Sequence, residues 1–125
     1  MNKAIATPNA PAAIGPYYQG ISAGNTAYIS GQLPIDPATG EFAGADIASQ
    51  TRQSLTNMKA ILEANGMTMA DVVKTTVLLD DMANFAAVNA VYSEFFTENC
   101  PARACFAAKA LPKGALVEIE AIAAM

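Results

Sequence analysis

The residues best suited to chemistry lie near the C-terminus, where charged side chains interrupt otherwise apolar segments. Arg103 is one of two arginines in the chain, and Glu118 and Glu120 lie two residues apart in VEIEAIA. A guanidinium presents a planar pair of donors that fits a carboxylate. Two carboxylates at this spacing lie on one side of a strand, about 6.6 Å apart, and resist simultaneous ionisation when partly buried. The set predicts a site that binds a small acid and transfers protons.

The two segments that carry these side chains have the composition of strands. Residues 102–111 and 116–124 are rich in β-branched and small apolar residues, and Pro-Lys-Gly at 112–114 favours a turn. An antiparallel hairpin with this connection sets Lys109 opposite Glu118. We therefore predict that the two segments pair directly with each other.

In that register the polar side chains of the hairpin share one face, because strand side chains alternate between faces. The face is lined by Arg103, Cys105, Lys109, Glu118 and Glu120. This arrangement predicts an anion-binding site with a proton-transfer group beside it. A purely structural interpretation remains open, in which Lys109 and Glu118 form a solvent-exposed ion pair worth ~0.2–1 kcal/mol and have no chemical role.

The histidine and cysteine content restricts the possible mechanisms. The chain has no histidine, which excludes a Ser-His or Cys-His couple and any histidine metal site. Cys100 and Cys105 would have their Cα atoms about 16 Å apart in an extended segment, beyond the reach of a disulfide. We predict free thiols and no metal site. Catalysis must then use carboxylate, tyrosine, thiol, arginine or backbone groups.

Four further positions are candidates for a binding site. Tyr17 and Tyr18 are adjacent, so one ring can enter the core while the other faces a site. Gly31 follows Ser30 inside a predicted strand, where glycine marks a bulge or the close approach of another group. Asn89 lies at the edge of a helix's apolar face and needs a hydrogen-bond partner or a polar pocket. Each position also has a purely structural interpretation.

The elements that must position these residues form an alternating pattern. We predict strands at 3–6, 18–23, 26–32, 71–79, 102–111 and 116–124, and helices at 47–65 and 84–98. Asp46 is the expected N-cap of the first helix, and Asn65-Gly66 the expected end. The order β-β-β-α-β-α-β-β predicts an α+β fold with both helices on one face of a mixed sheet.

Two details of these elements bear on the site. In the strand at 71–79, alternation predicts that Val73, Thr75, Val77 and Leu79 share one face. In the first helix, Arg52 lies about 100° from the centre of the apolar stripe and belongs to a solvated flank. Of the two arginines, Arg103 is therefore the one predicted to bind an anion.

The composition indicates one domain, residues 1–125, that associates with copies of itself. Charged residues make up 14% of the chain, against a typical ~25%, and hydrophobic residues make up 53%. Two helices cover only one face of a sheet, so the other face needs a partner. We predict a homo-oligomer.

Other partners are disfavoured by charge and hydropathy. The net charge is −4 and the seven basic residues are scattered, which argues against nucleic acid. No apolar run approaches the ~20 residues of a membrane span, and the proline-rich N-terminus does not read as a signal peptide. These features predict a cytoplasmic protein with no membrane contact.

Five short motifs, in order, resemble the Rid family of imine deaminases, nearest its archetypal RidA branch. They are GPY at 15–17, SGQ at 30–32, VNAVY at 88–92, PARAC at 101–105 and VEIEAIA at 117–123. The resemblance covers nearly the whole chain. It implies a chorismate-mutase-like fold, a homotrimer with clefts between subunits, and no cofactor. It also implies hydrolysis of 2-imino acids or their enamine tautomers, such as 2-aminoacrylate, 2-iminopropanoate and 2-iminobutanoate, to 2-oxo acids and ammonia.

The resemblance also implies roles for individual residues. Arg103 would clamp the substrate carboxylate, and Glu118, which the family pattern selects over Glu120, would activate water and handle the proton of the departing nitrogen. The remaining pocket positions would be Tyr17, Ser30, Gly31, Asn89 and Cys105, the last as a wall and backbone donor. The chain departs from the family pattern at Tyr18, at Ala104 and in the short segment 98–101, positions that bear on substrate preference.

Three alternatives stand beside the deaminase. A trimeric sensor of small carboxylates would keep the cleft and lack turnover. RNA cleavage, an activity attributed to some relatives, conflicts with the missing histidine and the acidic charge balance. Chorismate mutase shares the architecture, but its dianionic substrate needs more cationic ligands than one arginine supplies.

Overall fold

The helices and strands follow the order predicted from the sequence in a computed structural model that describes residues 1–125. The strands are β1 (Lys3–Ile5), β2 (Gly20–Ala23), β3 (Thr26–Gln32), β4 (Val72–Leu79), β5 (Ala102–Ala107) and β6 (Val117–Ala124), and the helices are α1 (Ile47–Ala64) and α2 (Phe85–Phe95). The six strands form one sheet in the order β1-β2-β3-β6-β4-β5. Only β4 and β5 are parallel. The predicted mixed α+β sheet is confirmed.

One face of the sheet carries the hydrophobic core. Along β6 the residues alternate, with Val117, Ile119, Ala121 and Ala123 buried and the residues between them more exposed. The buried set packs in one cluster with the apolar faces of α1 and α2. Burial of each large aliphatic side chain contributes roughly 1.5–3 kcal/mol. The other sheet face is covered by no element of this chain.

The ends of α1 are set by the residues expected to cap it. The Asp46 carboxylate accepts a hydrogen bond from the Ser49 backbone N–H at 3.0 Å. This bond is the main reason that the pKa of Asp46 is lowered. Asn65 ends the helix and Gly66 follows with φ 72°, a left-handed conformation that suits glycine. The predicted start and stop are both confirmed.

The predicted hairpin of β5 and β6 is wrong. β4 lies between these strands, pairing in parallel with β5 and antiparallel with β6. A parallel pair needs a long crossover, which α2 supplies between β4 and β5. The mostly exposed residues of β5 suit a sheet edge, whereas the alternation in β6 suits an interior strand. Lys109 lies beyond the end of β5 and faces no strand residue.

The prediction that Val73 shares a face with Thr75, Val77 and Leu79 is also wrong. Val73 is 48% exposed, whereas Val72 beside it is 4% exposed. The pairing of β4 with β6 is irregular between Val72 and Lys74, which reverses the alternation at this point. Thr75, Val77 and Leu79 beyond the irregularity are all buried, so these three share one face as predicted.

Neither helix combines the length and the apolar character needed to cross a membrane.

Candidate functional site

Arg103 is held on the helix side of the sheet by residues of α2. It pairs in register with the buried Thr75, so both side chains leave the same face. Its Nη1 donates to Asn89 Oδ1 at 2.8 Å. Its guanidinium carbon lies 4.8 Å from the centre of the Tyr92 ring and 5.5 Å from that of Phe85. The cation is therefore fixed by one amide and two aromatic faces.

Arg103 has no carboxylate partner. The only ion pair in the chain joins Arg52 to Glu94 at 3.0 Å, on an exposed flank of the two helices as expected for Arg52. Asn89 accepts one hydrogen bond from the guanidinium, whose other N–H donors make no bond within the chain. Arg103 thus remains a positively charged fork that can bind an anion.

Tyr92 packs its ring against the guanidinium of Arg103, a role that the sequence analysis did not assign. Its hydroxyl shares a hydrogen bond of 2.7 Å with Thr75 Oγ1. Burial raises the pKa of Tyr92, outweighing the lowering effects of this hydrogen bond and of the Arg103 charge. Tyr92 therefore stays a neutral phenol. Its spacing of three residues from Asn89 was the available signal, because such residues share a helix face.

Cys105 lies on the same face as Arg103, two residues along β5. It pairs in register with Val77, and its side chain is partly buried. Burial raises the pKa of the Cys105 thiol, and the positive charge of Arg103 opposes this shift. Cys105 and Cys100 are both free, as predicted. A protonated thiol suits a wall of the site and is a poor nucleophile.

Glu118 lies on the uncovered face of the sheet, against Gly31. It pairs in register with Leu78, whose neighbours Val77 and Leu79 face the helices. A Cβ placed on Gly31 would lie 2.9 Å from Glu118 Cδ and closer still to a carboxylate oxygen. A side chain at position 31 would therefore have to displace the Glu118 carboxylate from the space that it occupies.

The bulge predicted near Gly31 is also present. The pairing of β3 with β6 shifts register between Ile29 and Gln32. The extra length of β3 at this point frees the backbone around Gly31 from regular pairing. The bulge and the close approach of Glu118 thus occur together.

The electrostatic environment of Glu118 favours its protonated form. Burial raises the pKa of the Glu118 carboxyl, and the negative charge of Glu120 on the same face raises it further. No basic side chain lies within ion-pair distance, so the alternative pair with Lys109 is wrong. A carboxylate with a raised pKa is a stronger base than an ordinary glutamate, and a pKa closer to the working pH lets the same group act as base and then as acid.

Within one chain, Arg103 and Glu118 project from opposite faces of the sheet. Arg103 is in register with a helix-facing residue of β4, and Glu118 with a residue of β4 that faces away. The prediction that all five polar side chains share one face is therefore wrong. The error follows from the inserted strand β4, which abolishes the hairpin register. Ala104, one residue after Arg103, projects toward the side of Glu118.

Tyr17, Ser30 and Gly31 are brought together, and Gly31 contacts Glu118. The Ser30 hydroxyl donates to the Tyr18 carbonyl oxygen at 2.6 Å, and its N–H donates to the Gln19 carbonyl oxygen at 2.9 Å. Tyr17 and Gly31 line a cavity of about 290 Å³. The predicted pocket residues therefore divide into two groups: Arg103, Asn89 and Cys105 on the helix side, and Tyr17, Ser30, Gly31 and Glu118 elsewhere.

The cavity beside Gly31 contains residues that the sequence reasoning did not select. Gln19, Gln32 and Lys113 line it together with apolar residues. Gln19 directly follows Tyr17 and Tyr18, and this position was the only feature of the sequence that could have indicated its place beside the cavity. No group of three or more metal-ligating side chains occurs anywhere in the chain.

Comparison with known proteins gives consistent matches over almost the whole chain. Residues 7–125 match the family described as Endoribonuclease L-PSP. The chain is 56% identical over 126 residues to the 2-iminobutanoate/2-iminopropanoate deaminase of Escherichia coli strain K12, with 98% of each chain covered. It is 55% identical over 127 residues to the Haemophilus influenzae RutC family protein, covering 98% of this chain and 97% of that protein.

Solved structures give the same result. The crystal structure of the Escherichia coli YjgF gene product has a TM-score of 0.94 and 55% identity, with 98% of each chain covered. That of Escherichia coli TdcF with bound serine has a TM-score of 0.95 and 46% identity, again with 98% of each chain covered. Similarity at this level extends to every strand and helix that carries a candidate residue.

Proposed function

This chain belongs to the endoribonuclease L-PSP family, also called the YjgF/Rid family, and we propose on that basis that it is a 2-imino acid deaminase. The enzyme hydrolyses 2-iminopropanoate, 2-iminobutanoate and their enamine tautomers, including 2-aminoacrylate, to 2-oxo acids and ammonia. The reaction needs no cofactor. The observation that carries the proposal is the geometry of Arg103, a fixed and partly buried cation with no carboxylate partner.

The proposed mechanism uses one side chain to bind and one to move protons. Arg103 pairs with the substrate carboxylate and orients the C=N bond. Glu118 takes a proton from water as the oxygen attacks the carbon of the protonated imine, which gives a neutral tetrahedral carbinolamine. Glu118 then gives that proton to the nitrogen and accepts the hydroxyl proton as the C–N bond breaks, so that the C=O bond forms, ammonia leaves, and the last proton passes from Glu118 to solvent. Its raised pKa suits both steps.

The remaining pocket residues have supporting roles in this proposal. Asn89 holds the guanidinium, and Cys105 forms a wall beside it. Gly31 makes room for the Glu118 carboxylate, and Ser30 fastens the segment that carries Tyr17. Tyr17, about half exposed, is available to contact the substrate.

The complete site, we propose, lies between subunits of a homotrimer. Arg103 and Glu118 leave opposite faces of one sheet, so a single small substrate cannot bridge them within one chain. In the proposed assembly, Arg103 of one subunit faces Glu118 of the next. The uncovered sheet face supports association, because Tyr28 and Phe106 are each 50% exposed there and charged residues are few.

A coupled assay tests the deaminase directly. We would generate 2-aminoacrylate in situ and follow pyruvate release with wild type, Arg103→Ala and the matched control Arg52→Ala. We expect Arg103→Ala to lose about 100-fold in kcat/KM, since it removes charge-assisted hydrogen bonds, and Arg52→Ala to stay near wild type. No acceleration by wild type, or full activity in Arg103→Ala, would refute the assignment.

A second candidate is a binder of small carboxylates without turnover. The observation in its favour is the relative crystallised with bound serine, together with the unpaired Arg103 of this chain. Calorimetry with serine distinguishes the two. Binding that depends on Arg103, with no product from 2-aminoacrylate, would favour the binder.

RNA cleavage, suggested by the family's description, has no support in the arrangement of this chain's residues. The chain lacks histidine, and its seven basic residues do not form a stripe. A protein that binds RNA through several backbone phosphates needs basic side chains clustered along one surface. The cytoplasmic location inferred from the sequence stays a prediction.

A further inference from the structure

Gln19 is a buried amide whose side chain makes four hydrogen bonds to the loop between β1 and β2. Its Oε1 accepts from the Thr7 N–H at 2.7 Å. Its Nε2 donates to the carbonyl oxygens of Thr7 at 3.1 Å, Ala10 at 3.2 Å and Pro11 at 2.8 Å. The side chain is 5% exposed in a position that needs these partners. One side chain thus binds three separate points of the loop.

This loop depends on Gln19 for its attachment. Residues 8–16 form no regular structure, and their other hydrogen bonds stay within residues 7–17. Ala10 packs into the core at 2% exposure, and its neighbours are more exposed. Apart from the packing of Ala10, the Gln19 amide is the main restraint on the loop's path.

The loop forms one wall of the 290 Å³ cavity beside Gly31. Pro11, Ala12, Ile14 and Tyr17 line the cavity from the loop side, and Gly31 and Leu33 line it from β3 and beyond. Gly31 is also the residue on which the Glu118 carboxylate lies. The loop wall therefore borders the backbone that receives the proton-transfer group.

Gln19 connects this wall to β3 through its own backbone. Its carbonyl oxygen accepts from the Ser30 N–H at 2.9 Å, and the preceding carbonyl, of Tyr18, accepts from the Ser30 hydroxyl at 2.6 Å. The main chain of Gln19 is thus bound next to Gly31, while its side chain holds the loop. A single residue sets the distance between the two walls.

We infer that Gln19 is a positioning residue for the deaminase reaction. It holds residues 7–17 in the conformation that presents Tyr17 to the substrate and shapes the cavity beside Gly31, the residue that contacts Glu118. Gln19 does not touch the reacting atoms and acts through the loop. The inference rests on the proposed function.

The first test is Gln19→Met, which keeps the length of the side chain and removes all four of its hydrogen bonds. We expect KM for 2-iminopropanoate to rise about tenfold while kcat changes less than threefold, because Arg103 and Glu118 keep their own supports. The control is Leu62→Ala, a fully buried α1 position that does not line the cavity. Both variants are assayed well below their melting temperatures.

The control separates positioning from stability. Leu62→Ala leaves a core cavity and lowers the melting temperature, yet its KM should match wild type. Equal KM values for Gln19→Met and wild type would show that Gln19 only stabilises the fold and would overturn the inference. Absence of hydrolysis by wild type would instead refute the deaminase itself, so the two failures are distinguishable.

A second variant gives a signature in the pH profile. Gln19→Glu places a carboxyl against three carbonyl oxygens, which favours its protonated form. The ratio of its KM to that of wild type should therefore fall toward one as the pH is lowered, since the protonated carboxyl again donates a hydrogen bond. The same ratio for Gln19→Met should stay flat. A flat ratio for Gln19→Glu would contradict the role of the Nε2 donor.

Discussion

At the residue scale, the proposed chemistry depends on two charged side chains in unlike environments. Arg103 is oriented by an amide oxygen and two aromatic rings, which fix its position without neutralising its charge. Glu118 has no compensating cation, and both burial and Glu120 oppose its ionisation. One residue is therefore prepared to bind an anion and the other to exchange a proton. The environment of Glu118 therefore uses folding free energy to maintain reactivity.

This cost predicts a trade-off between stability and activity at Glu118. The carboxyl pKa is higher in the folded chain than in the unfolded chain, so the ionised side chain destabilises the fold above the folded pKa. That penalty disappears as the pH falls below the unfolded value. Glu118→Gln should therefore raise the melting temperature at pH 7, by less in acid, while lowering kcat by ~10²–10⁴-fold. Calorimetry at several pH values and the pyruvate assay measure both effects.

The control for this variant is Glu120→Gln, which removes a neighbouring charge and leaves Glu118 in place. It should lower the Glu118 pKa and shift the acid limb of the kcat/KM profile to lower pH. A Glu118→Gln variant that is less stable than wild type at pH 7 would contradict the assigned environment.

A second residue-scale prediction concerns the contact between Gly31 and Glu118. Gly31→Ala forces a methyl group into the carboxylate, because the added Cβ would lie 2.9 Å from Glu118 Cδ. We expect a loss of activity as the carboxylate is displaced, with a destabilisation of at most ~1 kcal/mol because the end of the Glu118 side chain can move. In a Glu118→Ala background the same change should cost much less. Urea unfolding of wild type, Gly31→Ala, Glu118→Ala and the double variant gives the coupling energy between the two positions. Additive effects on the free energy of unfolding would show that the two residues do not interact.

At the element scale, local sequence patterns predicted the helices and strands correctly. The prediction of which strand pairs with β5 was wrong. Asp46, the apolar stripe of α1 and Asn65-Gly66 mark a helix through contacts within a few residues, so its bounds were predictable. The partner of β5 depends on how a long crossover packs, which composition does not encode. Because β6 follows β5 in the sequence, we predicted that these two strands pair. In the structure β5 pairs with β4, which lies between β5 and β6.

The same distinction explains what could be predicted of the site. The residue types of Arg103, Glu118 and Gly31 carry local signals, such as a charge or a glycine in a strand. The role of Tyr92 arises from its contact with Arg103, 11 residues away in the sequence. The role of Gln19 arises from hydrogen bonds to loop residues that lie 8 to 12 positions before it. Such contacts appear only once the sheet order is known.

A prediction at this scale concerns the turn before β6. Lys113 has φ 58° and ψ 19°, a left-handed conformation that costs a side chain roughly 1–2 kcal/mol, and Gly114 follows at φ 72°. Lys113→Gly should stabilise the fold by about 0.5–1 kcal/mol after the larger entropy of unfolded glycine is counted. Urea unfolding measures the gain. Lys109→Gly, at a position without positive φ, is the control and should not stabilise.

At the scale of the whole molecule, one face of the sheet is left uncovered by this chain. Tyr28 and Phe106 are half exposed, with the partly buried Leu78 and Ile122 between them on the same face. Only 14% of the residues are charged. A row of exposed apolar side chains of this kind promotes association. Association would also bring an Arg103 to the side of the sheet that carries Glu118.

Mixing two inactive variants tests whether the site is shared between subunits. Arg103→Ala retains Glu118, and Glu118→Gln retains Arg103, so a cleft built from one subunit of each kind can contain both wild-type residues. If subunits of the two variants are unfolded together at equal concentration and refolded, random assembly should restore about a quarter of wild-type activity. Each variant refolded alone should remain inactive. No recovery in verified mixed trimers would place Arg103 and Glu118 in separate sites and refute the shared cleft.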